Sequence, residues 1–275
     1  MAQPLRKLPQ PTGNHEDEEN DHLFRFGFRT QFIPLPDGDF EARQIPLTVE
    51  DLLDPQIGDH VVQGYPHGLL TLTLAEMLIG RYRNQDDVLV GWDVKVFWGI
   101  PGLPNPAPDV SVIRGVRDKR KPRESFNVPE EGVGPCFILE IVSPVRAEYR
   151  RNDHQEKVVI YERAGVDEYL IVDQPRPATN DSFRLTGYRL DAQGRYQRIE
   201  PDDRGRLFAE TLNLWFQISE DGQQVLLIDA ETGERLLTAE EARAEAEAAK
   251  EARRVAEAEV ARLREELARL KGSSG

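Results

Sequence analysis

Pro135-Cys136-Phe137-Ile138-Leu139-Glu140-Ile141-Val142-Ser143-Pro144 is an apolar run closed by proline at both ends, with one carboxylate inside it. Its length, its β-branched content and its flanking prolines predict a buried central strand rather than a helix. The acid is the anomaly. An unpartnered carboxylate in such a place costs several kcal/mol or is driven toward its neutral form, so Glu140 requires a cation, a metal ion or a strong donor beside it. Glu140 is therefore read as half of a site whose other half comes from neighbouring elements.

Downstream, a polar segment leads into a helix over about 148–163, with Gly165 in the position of a C-cap. Asp153, Lys157 and Tyr161 stand four apart on it and so share one face. A second apolar strand, Tyr169-Leu170-Ile171-Val172, follows, and a helix between two such strands is the usual crossover of a parallel pair.

Upstream, 88–98 reads as a strand, and a loop holding Pro101, Pro104, Pro106 and Pro108 ends at Asp109, which opens a short strand over 110–113. Asp109 is either a rim carboxylate fixed by the preceding proline or an ordinary turn cap. Residues 66–82 carry enough leucine to predict a helix covered on most sides; its Glu76 either faces the site or is a surface acid. Before it lie a Pro/Gly-punctuated approach segment, 32–46, and a short helix start at 48–53. Beyond Pro175, glycine-punctuated strands at 183–190, 195–200, 212–218 and 225–229 read as antiparallel hairpins that extend or cover the sheet.

The chain of 275 residues is 39% hydrophobic, enough for a sizeable core. It has no apolar run near the roughly 20 residues needed to cross a bilayer. Its N-terminus lacks the apolar segment of a signal peptide, and its one cysteine, Cys136, permits no internal disulfide, so a cytoplasmic protein is expected. A net charge of -14 argues against non-specific coating of nucleic acid. The charge is uneven, however. Acids cluster at 16–21, while Arg114, Arg117, Lys119, Arg120 and Lys121 form a basic loop, and Arg146, Arg150 and Arg151 gather near the later helix. These two basic groups are candidates for phosphate contacts, with solvated loop charge as the alternative.

From 238 to 271 the composition turns to Ala, Glu and Arg without Gly or Pro. Ala242, Ala246, Ala249, Arg253, Ala256, Val260, Leu263, Leu267 and Leu270 alternate by four and three, a heptad seam that predicts pairing with a second copy (a homodimer) or with a partner helix. The expected organisation is a disordered acidic arm (1–30), a folded α/β domain (31–235), a coiled-coil helix (236–271) and a flexible tail (272–275).

Asp109, Glu140 and Lys157 thus converge. Two carboxylates from adjacent strands suit a hard cation, Mg²⁺ or Mn²⁺, and a lysine beside them can orient or help deprotonate a water and offset phosphate charge. No His or Cys spacing suggests zinc, and neither a phosphate-binding glycine loop nor a G-x-S-x-G elbow is present. Hydrolysis of phosphodiesters fits what remains.

The segments Pro108-Asp109-Val110-Ser111-Val112, Phe137 to Pro144, and Asp153 through Lys157 and Tyr161 to Asp173 resemble the Uma2 family of restriction-endonuclease-like proteins, a bacterial branch of the PD-(D/E)XK nucleases. The resemblance covers roughly 65–173. It implies an α/β, restriction-endonuclease-like core with a mixed central sheet flanked by helices, in which Asp109 and Glu140 hold the metal. The superfamily lysine two residues after the strand acid is Val142 here. In similar family members that lysine has moved to the next helix, which maps onto Lys157; the alternative is a helical ion pair with Asp153. Glu76, Asp153 and Tyr161 are the additional site candidates. The expected activity is a Mg²⁺-dependent DNA endonuclease, and the rival is an inactive nuclease-like fold that binds nucleic acid or a protein through its helical tail.

Overall fold

The computed structural model describes residues 25–36, 38–56, 58–144, 147–176, 179 and 181–272. The strands are β1 (Gly27–Pro34), β2 (Phe40–Pro46), β3 (Asp59–Val61), β4 (Val88–Gly91), β5 (Val96–Phe97), β6 (Val110–Arg114) and β7 (Phe126–Asn127) in the first half. The second half contributes β8 (Pro135–Val142), β9 (Glu168–Asp173), β10 (Arg184–Leu190), β11 (Tyr196–Arg198), β12 (Leu207–Ala209), β13 (Leu214–Ile218) and β14 (Val225–Asp229). Three helices matter here. They are α1 (Tyr65–Arg81), α2 (147–164) and α3 (Ala239–Gly272).

The central sheet runs β11-β10-β9-β8-β6-β4. Only β8 and β9 pair in parallel, joined by α2 as crossover; every other pairing in this sheet is antiparallel. This is the mixed, helix-flanked sheet that the sequence implies. The alternation along β8 divides the core. Phe137, Leu139 and Ile141 join Leu74 and Leu78 of α1 and the small β12-β13-β14 sheet on one face. Ile138 and Val142 join Ile160 and Tyr161 of α2, with Tyr169 and Ile171, on the other. Glu140 has the parity of Ile138 and Val142, so it faces α2.

Several expectations change. The strand read over 88–98 stops at Gly91, because Asp93 takes a left-handed φ of 52° and turns the chain; β5 then pairs with β7 in a separate ribbon. The approach segment 32–46 lies largely in β1 and β2, a hairpin completed by β3. Of the arm read as disordered, 1–24 lies outside the described residues, and 27–30 belong to β1. The β10-β11 hairpin extends the sheet, whereas β12, which no sequence signal marked, joins β13 and β14 in the covering sheet.

At the start of α3, Thr238 Oγ1 accepts from the Glu241 amide while Glu241 accepts from the Thr238 amide, a capping box. Further along, Val260 and Leu263 are half exposed. No helix among the described residues is long and apolar enough to cross a membrane.

Candidate active site

β6 runs antiparallel to β8 with Val110 opposite Leu139, which brings Asp109, just before β6, level with Glu140. The two acids are locked through the backbone. The Asp109 amide lies 3.4 Å from Glu140 Oε2, and the Ile141 amide donates to Asp109 Oδ2 at 2.6 Å. Both residues are at most 5% exposed. Because Asp109 stands at the strand's open end, its other oxygen reaches the first turn of α1, where His67 Nε2 lies 3.0 Å from Oδ1.

The third side is α2. It consists of Ala147–Arg151, a π-helical turn Asn152–Glu156 and Lys157–Ala164. In a straight α-helix, side chains four apart drift by about 40° per step. The wider π turn takes back part of that drift, and Asp153, Lys157 and Tyr161 all remain over β8 and β9. Lys157 Nζ sits 2.9 Å from Glu140 Oε2 and 2.9 Å from Asp153 Oδ1. Tyr161 donates its hydroxyl to Glu140 Oε1 at 2.5 Å. The turn is anchored from both sides, by Asn152 donating to the Val49 carbonyl and by Tyr169 donating to that of Asp153.

Burial and mutual repulsion set the charges. Burial pushes the Glu140 carboxyl up to about 8, with Asp109 and Asp153 adding to the rise against the pull of Lys157. Burial also raises Asp153. Burial acts on Asp109 in the same sense, but the His67 charge and hydrogen bond outweigh it and hold Asp109 below its usual range. Desolvation pulls His67 down, yet Asp109 more than reverses this and lifts it to about 9. Lys157 likewise gains more from the carboxylates than burial removes and stays protonated. Three acids and two cations face one another, so the pocket carries an excess of negative charge when all are ionised.

Asp109, Glu140, Lys157, Asp153 and Tyr161 are therefore brought together. Glu76 is not: it is exposed, nine residues beyond His67 on α1 and thus about 13 Å further along the axis. The basic loop is not there either. It leaves β6 at Arg114, five residues past Asp109, roughly 17 Å away along an extended strand. Its cations have structural partners. Arg114 donates to Tyr82 and to the Thr211 carbonyl, Lys119 caps the carbonyls of Arg83 and Gln85 after α1, and Lys121 and Arg123 pair with Glu131. Arg117 and Arg120 are solvent-facing on the same loop. Arg146 lies outside the described residues. Arg150 reaches the site's edge, 2.9 Å from Asp173, and Arg151 pairs with Glu156 at the surface.

The sequence leaves Asp93 without a role and offers His67, at a helix start, a capping or ligand-edge role, with no spacing to Asp109 readable across 42 residues. Asp93 follows β4, accepts from Gln63, and is raised by partial desolvation and by Asp109. Its left-handed backbone, tolerated by Asp, is the one local signal.

Among the described residues no group of three or more His, Cys, Asp or Glu side chains is arranged to hold a metal ion. The oxygen donors of Asp109 and Glu140, in a pocket with surplus negative charge, fit Mg²⁺, which takes one or two carboxylates and keeps water for the rest. They do not resemble a zinc cage.

The Uma2 family model, described as "Putative restriction endonuclease", matches residues 51–221. The chain is also similar to the crystal structure of a "putative nuclease belonging to DUF820" from Anabaena variabilis, at 14% identity and a TM-score of 0.39, over 61% of this chain and 91% of that one. No curated protein matches the chain.

Proposed function

The chain belongs to the Uma2 family of restriction-endonuclease-like proteins, and from that premise we propose a metal-dependent endonuclease that hydrolyses DNA phosphodiester bonds. The reading is carried by one arrangement: two buried carboxylates from neighbouring strands, with the Lys157 ammonium 2.9 Å from one of them. Asp109 and Glu140 would hold the divalent cation, Mg²⁺ or Mn²⁺, which would supply charge neutralisation at the phosphoryl group and a more acidic attacking water.

The protein's own groups do the rest. Lys157 orients the water through its one remaining N–H donor and offsets the charge that builds on the phosphate. Asp153 holds the ammonium over Glu140, while Tyr161 fixes the rotamer of Glu140 through Oε1. His67 holds the Asp109 carboxylate in place. The α3 seam, with Val260 and Leu263 half exposed, supports pairing with a second copy.

The test is nicking of supercoiled plasmid by the full chain with Mg²⁺ or Mn²⁺, beside Asp109→Ala and Glu140→Ala. Metal-dependent nicking lost in both variants is expected. Cleavage that survives both removes the assignment, and absence of cleavage with any metal favours a binding module instead.

A further inference from the structure

A cleft of about 560 Å³ opens where β8 and β9 end, lined by Ser143, Arg150, Asp173, Arg176, Ser182 and Arg184 among others. The register aligns its floor with the site. Val142 pairs with Asp173 and Asp173 with Arg184, so Arg184 and Asp173 lie on the sheet face that carries Glu140. Strand geometry puts Asp173 about 8 Å from Glu140, one strand across and two residues along. Gln174, on the cleft wall, donates to the Pro66 carbonyl beside His67, so cleft and carboxylate pocket share a wall.

The cations here differ from those of the basic loop. The buried Asp173 takes both Arg150 and His154 on its Oδ1, at 2.9 and 3.0 Å, which leaves its own charge covered. Arg176 pairs with Asp181 while 69% exposed, and Arg150 is 48% exposed. The solvent-facing Arg176 pair is worth little, and both guanidinium groups keep most of their five N–H groups open to a further acceptor. Arg184 is exposed and has no ion-pair partner among the described residues. Ser143 and Ser182 add hydroxyl donors to a lining that also holds the Asp181 carboxylate paired with Arg176.

We propose that this cleft is a phosphate subsite, which binds a backbone phosphodiester of the nucleic-acid strand flanking the one being cut, with Arg184 as its principal cation and Arg150 and Arg176 as supports. The inference deepens the nuclease reading and rests on it for the identity of the strand, though its test does not depend on cleavage.

The full chain carrying Glu140→Gln is titrated with a fluorescent 12-nucleotide single strand in Ca²⁺ buffer, with and without Arg184→Glu. Anisotropy is read at several salt concentrations. The added substitution is expected to weaken binding about tenfold and to lower the slope of log Kd against log salt by about 1. Arg117→Glu, on the distant loop, is expected to change binding less than twofold. Melting curves confirm that each variant folds. Unchanged affinity and slope in Arg184→Glu, or an equal loss in Arg117→Glu, overturns the subsite and leaves the nuclease reading intact. Loss of binding in Arg184→Glu alone, in a chain whose parent cuts nothing, keeps the subsite and sinks the nuclease.

Discussion

Two glutamates are buried on adjacent parallel strands, Glu140 on β8 and Glu168 on β9, each 1% exposed. Their surroundings differ in kind. Glu168 accepts from Arg189 Nε at 2.9 Å, from the amides of Glu210 and Thr211 at 2.9 and 2.8 Å, and from the Thr211 hydroxyl. It clamps the central sheet to the loop after β12, and its lone pairs have fixed donors. Glu140 has Tyr161, one long amide contact and a lysine shared with Asp153, and it faces Asp109 as well. Burial of an acid is therefore not in itself a mark of chemistry. What separates the two is whether donors or rival carboxylates surround them.

The largest effect expected to sharpen this contrast is on activity. Glu140→Gln should lower plasmid nicking by at least about 100-fold while the melting temperature holds or rises, since a repelled buried charge is removed. Glu168→Gln should do the reverse. It converts an acceptor into a partial donor among four donors, destabilises by about 3 kcal/mol in denaturant melts, and leaves cleavage per folded molecule near the parent's. Equal stability losses in the two variants would dissolve the distinction.

Next in size is Lys157→Met, which leaves Glu140 and Asp153 facing each other without a cation. Both activity and stability should fall, the latter by about 3 kcal/mol, and Asp153→Asn added to it should restore part of the stability but none of the nicking.

The pH dependence of the metal-free chain is the third. His67, lifted to about 9, contributes stability in full below its ordinary 6.5 and loses it as pH climbs through 9. Glu140, raised from 4.5 to about 8, binds its proton more tightly when folded, so it contributes stability below 4.5 and loses it as pH climbs from there to about 8. The melting temperature should fall between pH 6 and pH 9, less steeply in Glu140→Gln, and Mg²⁺ should flatten the parent's curve. A curve as steep in Glu140→Gln as in the parent would remove Glu140 from this account.

The smallest change is Tyr161→Phe, which takes one donor from Glu140 Oε1. About a tenfold loss of nicking and about 1 kcal/mol of stability are expected. Removal of 239–275 tests the tail separately: light scattering should report a lower mass with the core's melting temperature unchanged.

The run around Glu140 announced a buried strand through its apolar, β-branched residues, and the four-residue spacing of Asp153, Lys157 and Tyr161 announced a common face. Those are local properties, because period and composition act over a few residues. The break at Asp93, the first three strands and the isolation of the basic loop were not legible, since each depends on partners distant in sequence. The same limit hid the partner of His67 until α1 was laid against the end of β6.

The amino-acid order by itself determined which strands would be buried, that one of them would carry an acid in need of company, and that the tail would be a helix with a seam. Only the tertiary structure decided which acids and cations meet. Coulomb and hydrogen-bond energies act over a few ångströms of space, and that spacing arises from strand register and the π turn rather than from any distance counted along the chain.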